Sequence, residues 1–441
     1  MALNLKARLG RIRRTEVCQA EIGGSAKSPR KAEQKPAGLQ SDGLQPAVSW
    51  PGWTEAGFKT LKRELLVELP FPPPVFFPAS LAVLVSDFSR IGRIPAPGEL
   101  LFFDLETTGL SGGAGTVAFL AAFGRFAGRG QLLITQYLLL DYPGESDFIE
   151  QVVKEFAPSA VVSSPTVVSS PTVVSPPTVV SYNGKSFDSQ ILRNRCLMNG
   201  IMVPEYFHAD LLHPVRRLWK RVLPDCSQAT IETLLPGLDR TGDIPGALAP
   251  DIWFSFLKTG ENRELLSVCD HNKRDIVGLA SIFLALAKIA AEPLESRERF
   301  RLDEEALALS YRDGLKKSSL LFGDEDSYRS CAKTGEFLLE SAAENGCPRA
   351  VFVLGLELFK KGRSAEGRAL MKKLTENTPE ANASHSLRAA ALKSLAIDSE
   401  WRLGDSSLAL EYTNSALNVS GLSAGNRGEL EKRRVRLEGK I

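Results

Sequence analysis

Asp104 and Glu106 stand one residue apart in "LLFFDLETTGL", at the end of the apolar run Leu100, Leu101, Phe102 and Phe103. Residues two apart in a strand share a face, so both carboxylates project together from a segment that otherwise belongs in a core. Burying either acid without a partner is costly, and the two repel one another. Such a pair calls for a cation. Hard divalent ions such as Mg²⁺ and Mn²⁺ take oxygen ligands, and two of them about 4 Å apart can activate water and stabilise the leaving oxygen of a phosphodiester. That chemistry needs further carboxylates from other elements. Asp188 in "SYNGKSFDSQIL" falls just inside a helix that begins after a strand. Asp275 in "CDHNKRDIVGLASIF" falls on a long helix with apolar Ile276, Leu279, Ile282 and Phe283. Asp210, at the end of the apolar stretch in "FHADLLHPVRRLW", either joins this cluster or caps the helix that follows. Taken singly each acid has an ordinary explanation, a solvated edge or a favourable place in the helix dipole. The ordered set is what points to one pocket.

The elements that must position these residues are legible around them. Strands are expected at 99–106, 115–126 and 131–140, then a helix in "ESDFIEQVVKEFA". A fourth strand ends in "TVVSYNG", a helix follows in "SFDSQILRNRCLMNG", and a short fifth strand lies near "EYFHADLL". Several helices close the region, the last over 261–291. A three-strand meander followed by alternating helices and strands predicts an α/β domain over 80–295: a mixed five-stranded sheet with flanking helices. Residues 161–182 repeat a Pro-containing hexamer, and a proline every sixth residue forbids a continuous central strand. We read 160–178 as a repeat-expanded loop whose last copy supplies the fourth strand.

Outside that region, 1–48 is polar and basic and reads as a disordered arm, and 49–79 as a leader with one possible helix ended by prolines. From 300 to 441 the pattern is all-α. Two helical hairpins turn at Gly362 and Gly404, 42 residues apart, so the array is only loosely tetratricopeptide-like, that repeat being 34 residues. The formal net charge is +2, which does not suggest a strongly basic nucleic-acid-coating protein, and no run of residues is long and apolar enough for a membrane span. Six scattered cysteines without a C-x-x-C pair argue against zinc or disulfide frameworks and favour a reducing cytoplasm.

"FFDLETTGL", "VVSYNGKSFD" and "HNKRDIVGL", in that order, resemble the three exonuclease motifs of the DnaQ-like, four-carboxylate 3′–5′ exonuclease superfamily. The wider pattern resembles its YprB-type, RNase-H-like branch, with "ADLLHPVRRLW", "SQATIETLL" and "GDIPGALAPDIWFSFLKTG" as connecting segments, over roughly residues 50 to 290. The resemblance implies an RNase-H-like fold and two Mg²⁺ or Mn²⁺ ions held by Asp104, Glu106, Asp188 and Asp275. It also places Thr107, Thr108 and Asn183 near the terminal nucleotide. The superfamily usually has a Tyr four residues, or a His five residues, before the last Asp; here His271 is four before and Asp270 five before. His271 shares a helix face with Asp275 and is the candidate general base.

"GLSGGAGTVAF" lacks the Gly-Lys-Ser/Thr of a phosphate-binding loop and reads as a tight turn. "HPVRRLWKR" sets Arg216, Arg217, Lys220 and Arg221 around Trp219, a composition suited to a single strand's phosphates and bases, or equally to a solvated helix with Trp219 in the core. The leading expectation is a metal-dependent nuclease trimming single-stranded DNA or RNA from its 3′ end, with the helical region available to a protein partner. The alternative is a nucleic-acid-binding protein or scaffold that turns over little.

Overall fold

Residues 54–68, expected as a leader with a possible helix, form a β-hairpin: β1 (Thr54–Gly57) and β2 (Thr60–Glu68) joined at Phe58-Lys59, with Lys59 at φ 52°. The Leu, Lys and Glu content of "TLKRELLVE" suits a helix, but the alternation Leu61, Arg63, Leu65, Val67 also suits a strand. Pairing decides between them, since β2 runs antiparallel to β5 along its whole length, from Thr60 opposite Leu139 to Glu68 opposite Gln131. The sheet therefore has seven strands where the sequence suggested five. In this computed structural model the described residues are 49–109, 115–128, 130–157, 175–376 and 384–441. The basic arm, the Gly-rich turn at 110–114 and most of the repeat segment lie outside them.

The expected five strands are β3 (Leu100–Thr107), β4 (Ala118–Phe126), β5 (Gln131–Leu139), β6 (Thr178–Ser181) and β7 (Phe207–Asp210). The sheet order is β1-β2-β5-β4-β3-β6-β7, with β3, β6 and β7 mutually parallel and the remaining pairs antiparallel. β3 is covered on both faces, as its unbroken apolar start requires.

Before β3 come the short helices α1 (Leu81–Leu84) and α2 (Ser86–Ile91); α3 (Glu145–Lys154) follows β5. α4 (Asp188–Met198) follows β6, while α5 (Leu212–Trp219), α6 (Gln228–Glu232) and α7 (Ala249–Thr259) follow β7. The long α8 (Arg263–Ala291) crosses the sheet face that carries Phe102, Asp104 and Glu106. Two contacts set its position. Gly124 of β4 leaves room for Ile276, since a Cβ there would come 2.6 Å from Ile276 Cγ2. Phe283 packs edge-on against Phe77, Phe88 and Phe102, pairs each worth about 0.5–1.5 kcal/mol beyond their area.

The carboxyl-terminal region is helical as expected: α9 (Pro293–Arg299), α10 (Glu304–Ser318), α11 (Glu325–Glu344), α12 (Pro348–Lys360), α13 (Ser364–Lys373), α14 (His385–Trp401), α15 (Ser406–Leu417) and α16 (Ala424–Glu438). Its first helices do not form a separate core. Leu307, Tyr311 and Leu338 share one apolar cluster with Phe102, Phe283 and Leu286, the Tyr311 hydroxyl donates to Ala290 O at 2.9 Å, and Gly314 lies against the backbone of Val83.

Candidate active site

β3, the β6–α4 junction and α8 converge on one pocket of about 250 Å³. Asp104, Glu106, Asp188, Asp275 and His271 line it together with Thr107, Asn183 and Tyr182. The pleat puts Asp104 and Glu106 on the face toward α8. At the β6–α4 junction, Asn183 adopts φ 66° and Gly184 is pressed so closely that a Cβ would lie 2.5 Å from Ser181 Oγ and 2.9 Å from Asp188 Oδ2. That tight turn delivers Asp188, only 5% exposed, into the pocket as the first residue of α4. Asp210 stays out of the cluster. Its carboxylate accepts N–H bonds from Asn183 (2.8 Å), Lys185 (3.2 Å) and Leu212 (3.1 Å), so it braces the loop and satisfies the first N–H of α5.

Ionisation of the strand acids is disfavoured in the folded protein. Burial, then the charges of Asp188, Asp275 and Glu106, hold the Asp104 carboxyl well above the usual range, with an Asn272 hydrogen bond acting against this. Glu106 is likewise raised well above its usual range, by burial and then by Asp275, Asp188 and Asp243. Burial, then Asp210, pushes Asp188 up to about 7. A group of buried acids whose ionisation is disfavoured chiefly by desolvation and mutual repulsion is the donor set a hard cation would relieve. Glu106, His271 and Asp275 each offer an atom within 4.8 Å of the others. The residues present thus fit a divalent cation site.

Several residues that sequence reasoning missed hold this constellation. Asn272, fully buried, donates to Asp104 Oδ2 at 2.7 Å and accepts from Gln136 Nε2 at 2.9 Å; Gln136 in turn accepts from Arg63 Nε at 2.6 Å. The added hairpin thereby reaches the first acid through two buried amides. Gln136 was detectable as a polar residue inside an apolar strand. Asp243, on the loop before α7, accepts from His271 Nδ1 at 2.9 Å, which leaves Nε2 facing Asp275 Oδ2 at 3.3 Å. Burial opposes ionisation of Asp243, but His271, Arg274 and Arg240 outweigh it and leave its carboxyl below the usual range. Arg240 bridges Glu232, Asp243 and Asp275.

Gly278 makes the last bridge possible, because a Cβ there would lie 1.7 Å from Glu232 Oε1. Gly278→Ala is expected to displace Glu232, free Arg240 and destabilise the fold by about 1–3 kcal/mol. Gly428→Ala, on α16 with nothing near, is expected to be neutral or to gain up to about 1 kcal/mol. Thermal melts of the two variants side by side check this.

Of the proposed substrate contacts, Thr107 and Asn183 line the pocket. The Thr108 hydroxyl instead accepts from Val117 N–H, tying β3 to the start of β4. Trp219 requires correction: it is buried at 1% exposure and its indole N–H donates to Phe300 O at 2.8 Å, so it packs rather than stacks on a base. Arg216 and Arg217 are exposed and line a different cleft.

The mixed sheet with β3 between antiparallel β4 and parallel β6, and helices packed on its faces, is an RNase-H-like fold. Residues 101–287 match the RNase_H_2 family model of the RNase_H superfamily. The chain is 32% identical over 243 residues to the uncharacterized protein YprB of Bacillus subtilis (strain 168), covering 52% of this chain and 54% of that one. It thus spans about half the length of that relative. A family B DNA polymerase from Pyrobaculum calidifontis aligns with a TM-score of 0.31 and 16% identity, over 48% of this chain and 29% of the polymerase; at that score the likeness carries no weight.

Proposed function

We propose that this protein is a metal-dependent nuclease that hydrolyses phosphodiester bonds at the 3′ end of single-stranded DNA or RNA. The observation that carries this reading is the convergence of four carboxylates from three elements on one pocket. Asp104, Glu106, Asp188 and Asp275 would hold two Mg²⁺ or Mn²⁺ ions. Such ions, when bound, supply Lewis acidity to the phosphodiester and counter the charge on its departing oxygen.

The chain's own residues would do the rest. Asn272 fixes the orientation of Asp104, and Asp243 holds the His271 ring so that Nε2 faces the pocket. His271 would take a proton from the water whose oxygen bonds to phosphorus as the P–O3′ bond breaks. The products are a nucleoside 5′-monophosphate and a strand shorter by one unit with a free 3′-hydroxyl. Asn183 and Thr107 at the pocket wall would contact the terminal nucleotide. No helix among the described residues is long and apolar enough to cross a membrane, and the free cysteines at 196, 226, 269, 331 and 347 fit a reducing, cytoplasmic setting.

The test is cleavage of 5′-labelled single-stranded DNA and RNA in Mg²⁺ or Mn²⁺, with EDTA as control. A ladder shortening from the 3′ end, absent in EDTA, is the expected result and names the preferred sugar. Intact strands under every metal condition would overturn the nuclease reading in favour of a binding protein.

A further inference from the structure

α5 and α10 face one another across a cleft of about 760 Å³, with an apolar floor that includes Ala82 and Val83. Its walls are basic. Arg216 and Arg217 come from α5, Lys220 and Arg221 from just beyond it, Lys317 from α10 and Arg349 from α12, with Arg90 of α2 at one end. The lining holds one acid, Asp313, already paired with Arg312 at 3.0 Å. Arg221 is neutralised by Asp303 and Glu305, and Arg90 lies 3.6 Å from Asp87. The side chains of Arg216, Lys220, Lys317 and Arg349 are exposed and have no ion pair among the described residues. On a chain of net charge +2, this is a local segregation of cations held face to face, which a polyanion would relieve.

A run of contacts leads from Arg90 on the cleft wall, through Asp87, to the loop beside the acidic pocket. Asp87 of α2 accepts the Asp210 N–H at 3.0 Å and pairs with Lys185 at 2.6 Å, and Asp210 braces the Asn183 loop that lines the pocket. Trp219 is buried, and no aromatic residue is among the described residues that line the cleft. We infer that the cleft between α5 and α10 is a sequence-independent site for the phosphate backbone of the same single strand whose end enters the acidic pocket, with the helical region supplying one wall. This rests on the nuclease reading above. It assigns Lys317 and Arg349 the role of neutralising phosphates, each lowering the salt dependence of binding when lost.

The test uses the full chain in EDTA, where strands bind without being cut. Fluorescence anisotropy of 5′-fluorescein oligothymidylate and oligouridylate is read over a salt series. Lys317→Glu/Arg349→Glu is expected to weaken binding by roughly tenfold or more and to reduce the salt slope by about 1.4, at ~0.7 per phosphate on a single strand. Lys317→Arg/Arg349→Lys should retain wild-type affinity. In Mn²⁺, hydrolysis of the p-nitrophenyl ester of thymidine 5′-monophosphate, which has no second phosphate to place in the cleft, should be the same in all three proteins. Unchanged strand affinity in the Glu variant overturns the inference. So does equal loss in the charge-conserving variant, or displacement of the oligonucleotide by polyglutamate at comparable charge concentration, which would make the cleft a site for acidic protein segments. Strand binding that depends on the cleft, with neither ester nor strand hydrolysed, would support the cleft and sink the nuclease reading. Hydrolysis with cleft-independent binding would do the reverse.

Discussion

Asp188→Asn is expected to abolish metal-dependent phosphodiester hydrolysis while raising the melting temperature of the metal-free protein. The two effects share one cause. Asp188 is buried and its carboxyl is pushed up to about 7 by desolvation, with Asp210 adding to it; its charge also raises Asp104 and Glu106. Above neutral pH the folded protein without metal therefore carries an anion it would be more stable without. Asn keeps the shape and removes the charge, so the empty site relaxes. The same change removes one of four cation ligands. If the lost electrostatic stabilisation of the transition state is about 4 kcal/mol, the rate falls on the order of 10³-fold. Rates on a labelled strand, paired with thermal melts in EDTA, check both halves. A variant that melts lower than wild type at pH 8 would mean that Asp188 is a structural acid, and the activity loss could then not be assigned to catalysis.

The "DLE" acids stood out because charged residues interrupted an apolar strand, a conflict that only a ligand resolves. Asp188 and Asp275 became visible through order and spacing, and all four do line one pocket. The meander was readable because period-2 apolar alternation and turn residues coincide there. The hairpin of β1 and β2 was not, since its residues satisfy a helical pattern too and only pairing with β5, 63 to 79 residues on, selects the strand. Trp219 between four basic residues looked equally like a stacking platform and a core residue; the carbonyl of Phe300, 81 residues away, decides for the core. Asp243, Arg240 and Asn272 were invisible for the same reason. Asn272 reaches Asp104 across 168 residues, Asp243 reaches His271 across 28 and Arg240 reaches Asp275 across 35, and no local pattern encodes those pairings.

The coupling of metal, proton and fold gives the second large effect. Asp104, Glu106 and Asp188 bind protons more tightly folded than unfolded, so in EDTA the protein should lose stability as pH rises through their raised values. Half-buried His208 is among the groups that oppose this. His208 is lowered to about 4 by burial and then by Lys185, so its neutral form costs stability as pH falls below the ordinary histidine value of about 6.5. The two contributions overlap at acid pH and separate above it. Between pH 6.5 and 8.5 the His208 contribution is spent, and a raised acid contributes a slope of up to about 1.4 kcal/mol per pH unit until pH passes its folded value, about 7 for Asp188. A divalent cation must displace those protons to bind, so its affinity rises over the same interval, and saturation at about 100 times its Kd adds roughly 2.7 kcal/mol. The expected result is a melting temperature in EDTA that falls from pH 6.5 to 8.5, and a Mn²⁺-induced increase that grows over that range. Asp188→Asn should flatten both. A cation-induced shift that is the same at both pH values and persists in the variant would place the bound ion at some other surface, and the carboxylates would then have to be explained without it.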